Sequence, residues 1–368
     1  MARMRQDLIR RHLLHRSWLS HLLYPLSLVW QWAVLRRRKK YANWGRRSAF
    51  IQHPMDGAAR VRIICVGNLV SGGSGKTPFT IMLANLLRDK GYAVAVSHRG
   101  YKGAFENNPH LISGRDGVYP EALTAGDEAQ LIAERLPGIP VVCGKGRRSA
   151  INLLRKRFPD LQAVILDDSF QHVQVGHDRD FVLFSAVTGI GNGFVLPAGF
   201  LREPLGVLND SHIAVITCPA GEPPEKVDDL SKQLERFTPQ IITCPMVAKD
   251  IIDASGQSVE TRDLSNAPVV LVSAIGNPEG FERSVTALGI GFERHFRFPD
   301  HYAYRDTRII SMLAEYCRRK GLRYLLTTEK DWMKLRRFDN RLPGLCCLRV
   351  DAEPLIDPDE LTVLVMDR

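Results

Sequence analysis

Residues 61–87, VRIICVGNLVSGGSGKTPFTIMLANLL, place an apolar strand, a glycine-rich turn and an apolar-periodic helix in immediate succession. The run VRIICVGN (61–68) has the length of a buried strand, and the pattern from Thr77 to Lys90 predicts a helix. Between them Gly72, Gly73, Ser74, Gly75, Lys76 and Thr77 read as a phosphate loop. Its glycines let backbone N–H groups converge on phosphate oxygens, and the helix N-terminus adds partial positive charge. Lys76 is then placed for the β- and γ-phosphates of a nucleotide, and the Thr77 hydroxyl for Mg²⁺. The strict pattern asks for glycine at position 70, where this chain has Val70. Gly72 and Gly73 are expected to supply the flexibility instead.

Outward from this stretch, strand-like runs alternate with helical patterns. Strands are expected at 92–100, 139–144, 163–169 and 180–186, with helices around 127–136 and 147–157. That rhythm predicts an α/β fold with a mostly parallel sheet and helices on both faces. The run AVILDDSFQH ends a hydrophobic strand in Asp167 and Asp168, where acids can hold a metal beside a phosphate loop. A Gly/Pro-rich passage, 189–206, is the expected junction. A second α/β series follows, with strands expected at 212–218, 269–276, 323–331 and 346–351. The reading divides the chain into a leader (1–48), a P-loop domain (49–200) and a smaller α/β domain (201–368) closing over the site.

The 368 residues are 45% apolar and 24% charged, which excludes a disordered, collagenous or coiled-coil chain. Seven scattered cysteines form no CxxC, which argues against a disulfide framework and structural zinc and leaves them as packing residues. The net charge of +10 is not spread evenly: residues 1–48 hold twelve Lys or Arg against Asp7 alone, a net of +11, leaving −1 for the rest. Within 17–35, Ser17, Ser20, His21, Tyr24, Ser27 and Gln31 fall on one helical stripe, and Trp18, Leu22, Leu26, Val29, Trp30 and Ala33 on the other. The polar stripe and Pro25 argue against a spanning helix. An amphipathic helix at an anionic membrane surface, with its Trp residues at headgroup depth, is expected and is weighed against an amphipathic helix docked on the protein's own core. Five arginines before the apolar stretch and the lack of a small-residue cleavage site disfavour a signal peptide. A neutral body and a Trp/Leu-rich leader face argue against nucleic acid.

Taken in order, these pieces resemble the tetraacyldisaccharide 4′-kinase (lipid A 4′-kinase) family. The segments are VGNLVSGGSGKTP (66–78), SHRGYKG (97–103), GDEAQLIA (126–133), Val141 to Arg147, LDDSFQH (166–172), LPAGFLREP (196–204), FPDHYAY (298–304) and TTEKDWMKL (327–335). Departures from the family pattern are His98 before Arg99, Ser169 for Gly and Ala129 for Pro. The resemblance implies transfer of the ATP γ-phosphate, with Mg²⁺, to the 4′-hydroxyl of a tetraacylated glucosamine disaccharide 1-phosphate in lipid A biosynthesis. It places the enzyme peripherally on the cytoplasmic face of the inner membrane, with no obligate protein partner.

By the same resemblance Asp127 is the candidate base for the acceptor hydroxyl and His301 its partner, with Lys76 as the third catalytic residue. Asp168 and Glu203 join Thr77 as metal ligands, and Arg99 and Tyr101 meet the substrate. Asp300 is read as orienting His301 or capping a helix. Arg99 is weighed against a structural ion pair. Lys330 of TTEKD is weighed as a phosphate contact against a solvated turn with Glu329 and Asp331, and Gln171, His172 and His177 as site lining against polar core. The competing readings are a GTPase, for which TEKD lacks the N/TKxD spacing, and a P-loop NTPase serving as a membrane adaptor or metallochaperone.

Overall fold

The computed structural model describes residues 12–45, 60–219 and 221–367. The ends of the expected leader, 1–11 and 46–48, lie outside them. The strand β1 (Arg62–Asn68) runs parallel to β6 (Ala163–Asp167) on one side and to β7 (Arg179–Ser185) on the other. Its residues Ile63 to Val66 are all buried, the composition a strand covered on both faces requires. Beyond β6 come β2 (Val94–His98) and β5 (Val141–Cys143), then an antiparallel edge of β3 (His110–Gly114) and β4 (Gly117–Val118). Beyond β7 come β8 (His212–Pro219) and the long β9 (Gln240–Asp253).

The sheet turns over within β9. Its first half pairs parallel with β8 from Gln240 to Met246, and its second half antiparallel with β13 (Leu345–Ala352). From β13 the sheet continues through β12 (Tyr324–Thr328), β10 (Val269–Ser273) and β11 (Arg294–Arg297), all parallel. All thirteen described strands thus join one sheet.

Ten described helices accompany it. They are α1 (Trp18–Gly45), α2 (Lys76–Asp89), α3 (Asp127–Arg135), α4 (Arg147–Arg157), α5 (Pro224–Leu234), α6 (Thr261–Ser265), α7 (Pro278–Ala287), α8 (Thr307–Lys320), α9 (Glu329–Leu335) and α10 (Pro358–Met366). The last returns to the first half of the sheet, where Leu361 and Val365 join the core beside α2.

Three expectations meet a different local structure. The 189–206 passage, read as a junction, is packed against the phosphate loop: Ser71 N–H donates to Phe200 O at 2.9 Å and Arg202 N–H to Leu69 O at 2.7 Å. The boundary at 200/201 falls between β7 and β8, which pair over six register positions. The strand expected over 323–331 stops at Thr328, whose hydroxyl caps α9 by accepting from Asp331 N–H. Strands β3, β4, β9 and β11 were not expected: β4 and β11 are short, and β9 carries Pro245 and the Lys249–Asp250 pair, which break the apolar run.

Helix α1 runs unbroken through Pro25. Its polar stripe faces the protein. Ser27 Oγ donates to Val195 O at 2.9 Å and accepts from Ala198 N–H at 3.0 Å, and Ser20 is buried beside Asn192. Its apolar stripe faces outward: Trp18, Leu22, Leu26 and Val29 are each more than half exposed. No described helix is long and apolar enough to cross a membrane.

Candidate active site

The phosphate loop leaves β1 at Asn68 and enters α2 at Lys76. Val70, standing where the strict motif has glycine, is buried and bridges Leu201. The left-handed backbone falls instead on Gly72 (φ 121°) and Gly75 (φ 72°), conformations that an L side chain adopts only under strain. Asn68 Nδ2 donates to Ser74 Oγ at 2.9 Å and so ties the end of the strand to the loop.

Beside the loop the two aspartates at the end of β6 divide. Asp167 is buried and accepts from Thr80 Oγ1 at 3.0 Å, while Arg147 donates to its carbonyl. Asp168 turns toward the loop: its Oδ1 lies 3.5 Å from Lys76 Nζ and 3.3 Å from Arg202 Nη1. Burial works against the Asp168 charge, but Lys76 and Arg202 prevail and hold its carboxyl down at about 2. Asp168 also takes the left-handed turn (φ 49°). Ser169 itself needs no left-handed backbone, and its Oγ donates to Asp167 O at 3.2 Å.

The facing wall joins α3, which packs on the first half of the sheet, to α9, which follows β12 of the second half. Helix α3 opens with Asp127 and Glu128, acids favoured at a helix N-terminus, and α9 meets them with two lysines one turn apart. Lys330 Nζ is 2.7 Å from Glu128 Oε1, and Lys334 Nζ is 3.2 Å from Asp127 Oδ2. Lys330 also reaches His301 Nε2 at 3.2 Å and Asp300 Oδ1 at 3.8 Å. Burial opposes both charges of the Glu128–Lys330 pair. Contact with His98 and Lys330 nonetheless holds the Glu128 carboxyl well below its usual range, and Glu128 and Asp300 raise the Lys330 ammonium. A Cβ built on Gly276 would stand 3.9 Å from Gly73 N and 3.8 Å from Asp300 Oδ2, so this wall comes up against the phosphate loop itself.

His98 joins the two walls. Its Nδ1 accepts from Gly100 N–H at 2.9 Å, which leaves Nε2 as the protonated nitrogen, 3.5 Å from Glu128 and 3.7 Å from Asp167. The His98 side chain is buried, which would lower its pKa. Hydrogen bonds to Cys143 and Glu128, with the charge of Asp167, push it upward instead, while the Gly100 N–H directed at Nδ1 favours leaving that nitrogen unprotonated.

Asp127 and His301, expected as partners, are each engaged by a lysine of α9. Tyr101 lies edge-on to the His301 ring with centroids 5.9 Å apart, and Arg99 pairs with Glu106 at 2.9 Å. Glu203 is buried, and its Oε2 takes a 2.6 Å hydrogen bond from Arg38 Nε of α1. Gln171 donates to Asn68 O at 2.9 Å beside the loop. His177 is drawn into a different network, with Nδ1 2.7 Å from Asp180, in a cluster with Cys65 across the β1–β7 register. Glu128, Lys334, Arg202, Arg147 and His98 were not assigned roles from sequence. The signal for the first two lay in the i, i+4 lysines of KDWMK and the second acid of GDE.

The model of the tetraacyldisaccharide-1-P 4′-kinase (LpxK) family matches residues 19–368. A tetraacyldisaccharide 4′-kinase of Pelobacter propionicus is 34% identical over 360 residues, covering 95% of this chain and 93% of the relative. One from Bordetella petrii is 34% identical, covering 96% and 93%. Among solved structures, "apo" form LpxK from Aquifex aeolicus in complex with ATP superposes with a TM-score of 0.70 at 26% identity, covering 94% of this chain and 98% of that one.

Proposed function

This chain belongs to the tetraacyldisaccharide-1-P 4′-kinase family, a family of lipid A biosynthesis kinases, and we propose that it moves the γ-phosphoryl group of ATP onto the 4′-hydroxyl of a tetraacylated glucosamine disaccharide 1-phosphate at the cytoplasmic membrane surface. The observation that carries the reading is one continuous set of contacts. Lys76 meets Asp168, and neighbouring Asp167 leads through His98 and Glu128 to Lys330 and His301. Side chains drawn from positions 76 to 330 share this one set of contacts, which supports a reading as phosphoryl transfer by positioning and charge neutralisation.

In this reading Gly72 to Thr77 cradle the ATP phosphates, with Lys76 on the transferring group. Thr77 and Asp168 would hold Mg²⁺, with Glu203 beside them; the strongly ionised Asp168 carboxylate fits a hard cation. The ion would supply neutralisation of phosphate charge. Asp127 takes the proton of the 4′-hydroxyl, with Lys334 holding Oδ2 and Oδ1 left as the accepting oxygen. His301 orients the acceptor, and Tyr101 and Arg99 meet its sugar face and phosphate. The outward apolar stripe of α1 supports seating on the bilayer that carries so amphipathic a substrate.

The test is transfer of label from γ-labelled ATP to the disaccharide 1-phosphate in mixed micelles. Labelled product at the 4′ position is expected. ATP turnover indifferent to lipid acceptor would favour the adaptor reading instead.

A further inference from the structure

The inner face of α1, with the half-exposed Trp30 at the margin of the apolar stripe, does more than dock. Trp30 Nε1 donates to the carbonyl of Arg202 at 2.9 Å. Two turns on, the Arg38 guanidinium donates to Glu203 Oε2 at 2.6 Å and to Phe170 O at 3.3 Å, and lies 4.6 Å from the Phe170 ring centroid. These contacts fall on the two segments that flank Lys76. Phe170 lies two residues past Asp168, and Arg202 reaches Asp168 Oδ1 at 3.3 Å and Gln171 Oε1 at 3.4 Å. A helix whose only task was to hold the body on a bilayer would not need its donors aimed at the turn and the loop beside the phosphate-binding lysine.

We propose that Trp30 and Arg38 are positioning residues for phosphoryl transfer, fixing the 168–170 turn and the 202–203 loop so that Arg202 and Asp168 stand correctly beside Lys76. The inference deepens the kinase reading and rests on it. The bond pattern supports it physically. Glu203 is 5% exposed, and a buried carboxylate needs a cation to stay in place. The planar Arg38 fork answers the carboxylate and a carbonyl at once while stacking on an aromatic face, which a lysine cannot do. The outer stripe, Trp18, Leu22, Leu26 and Val29, shares none of these bonds, so seating and positioning are separable on one helix.

The test uses the full chain in mixed micelles with saturating ATP and lipid. Arg38→Met is expected to lower kcat by about 10- to 100-fold, since a misplacement of about 1 Å at a reacting centre can cost up to about 10²-fold. Sedimentation with vesicles of phosphatidylcholine and phosphatidylglycerol should be unchanged. Arg38→Lys should recover part of the loss, and Trp30→Phe, which removes only the N–H donor, should cost roughly 3-fold, the lower end for one neutral hydrogen bond. Leu22→Ser with Leu26→Ser should weaken vesicle binding and raise the lipid KM while leaving kcat alone. Amide exchange across 198–204, read without acceptor, should quicken in Arg38→Met.

An unchanged kcat, or a loss that only follows vesicle binding, would overturn the proposal. So would unaltered exchange over 198–204. If Arg38→Met fails to fold, Trp30→Phe decides by the same readouts. Absence of lipid phosphorylation by the parent chain would instead remove the kinase reading, and the exchange measurement would still report on the grip of α1.

Discussion

The two walls of the cleft are built on different principles. The phosphate-loop wall is made mainly of backbone: left-handed Gly72 and Gly75, the N-terminus of α2 and the turn at Asp168. It follows directly from a strand whose end is pinned inside a buried parallel sheet. The facing wall is made of charged side chains, Lys330 and Lys334 of α9 against Glu128 and Asp127 of α3, joined across some two hundred residues. A local backbone motif can bind phosphate alone, whereas the second wall exists only when both halves of the sheet are folded and facing. Binding is therefore expected to reside on one wall and transfer to need both.

The strongest way to break this division is to truncate, on the facing wall, the proposed base Asp127 and its expected partner His301. Asp127→Ala and His301→Ala should each lower the transfer rate by about 10²–10⁴-fold with ATP affinity nearly unchanged, the usual span for acid–base assistance. If they act as one unit, the double variant will be hardly worse than the poorer single one. Losses that multiply fully would assign His301 to substrate positioning alone. Lys76→Ala tests the other wall and should cost about 10²–10³ in rate, the loss of one preorganised charge. A folded variant with near-parental turnover would remove the phosphate-loop assignment.

Lys330→Met sharpens the comparison at the seam. It leaves the half-buried Glu128 without its closest cation and His301 without its lysine neighbour. Loss of about 2 kcal/mol in unfolding free energy is expected, in the range for breaking a buried charge network. Denaturant unfolding measures it; a change within ~0.5 kcal/mol would mean the walls meet without depending on this pair.

What could be read in the sequence follows the same division. The strands β1, β2, β6, β7 and β8 and the helices α2, α3 and α4 announce themselves by local period, because each buries its own apolar face. Asp167 and Asp168 were legible at their strand end for the same reason. Lys330 could be singled out as a charge near the site, but its pairing with Glu128 and that of Lys334 with Asp127 could not, because nothing within TTEKDWMKL says that an acid pair some 200 residues earlier lies opposite. The orientation of α1 was only half legible: the sequence divides polar from apolar stripe without saying which faces the body, and the carbonyl of Val195 and amide of Ala198 satisfy Ser27 inside the protein. The sheet's reversal within β9 depends on β13 arriving antiparallel, a fact of topology rather than of pattern.

The smallest expected effect lies at His172, on the phosphate-loop wall. Burial, followed by the charges of Arg147 and Arg99, lowers its imidazole pKa to about 4, so the ring is neutral in the folded protein at pH 7. The unfolded chain protonates near the ordinary value of about 6.5. Between these values the unfolded state binds the extra proton. This contribution to stability is full above about pH 6.5 and is lost as pH falls toward 4. His172→Gln keeps a polar side chain but removes the titration. Its unfolding free energy should match the parent within about 1 kcal/mol at pH 7.5, as for a mild polar replacement. It should then fall less steeply between pH 6.5 and 5. Because the other histidines and the carboxylates titrate identically in both proteins, the difference between the two curves isolates this ring. Parallel curves through that window would mean that neither burial nor the charges of Arg147 and Arg99 hold the His172 ring neutral in the folded protein.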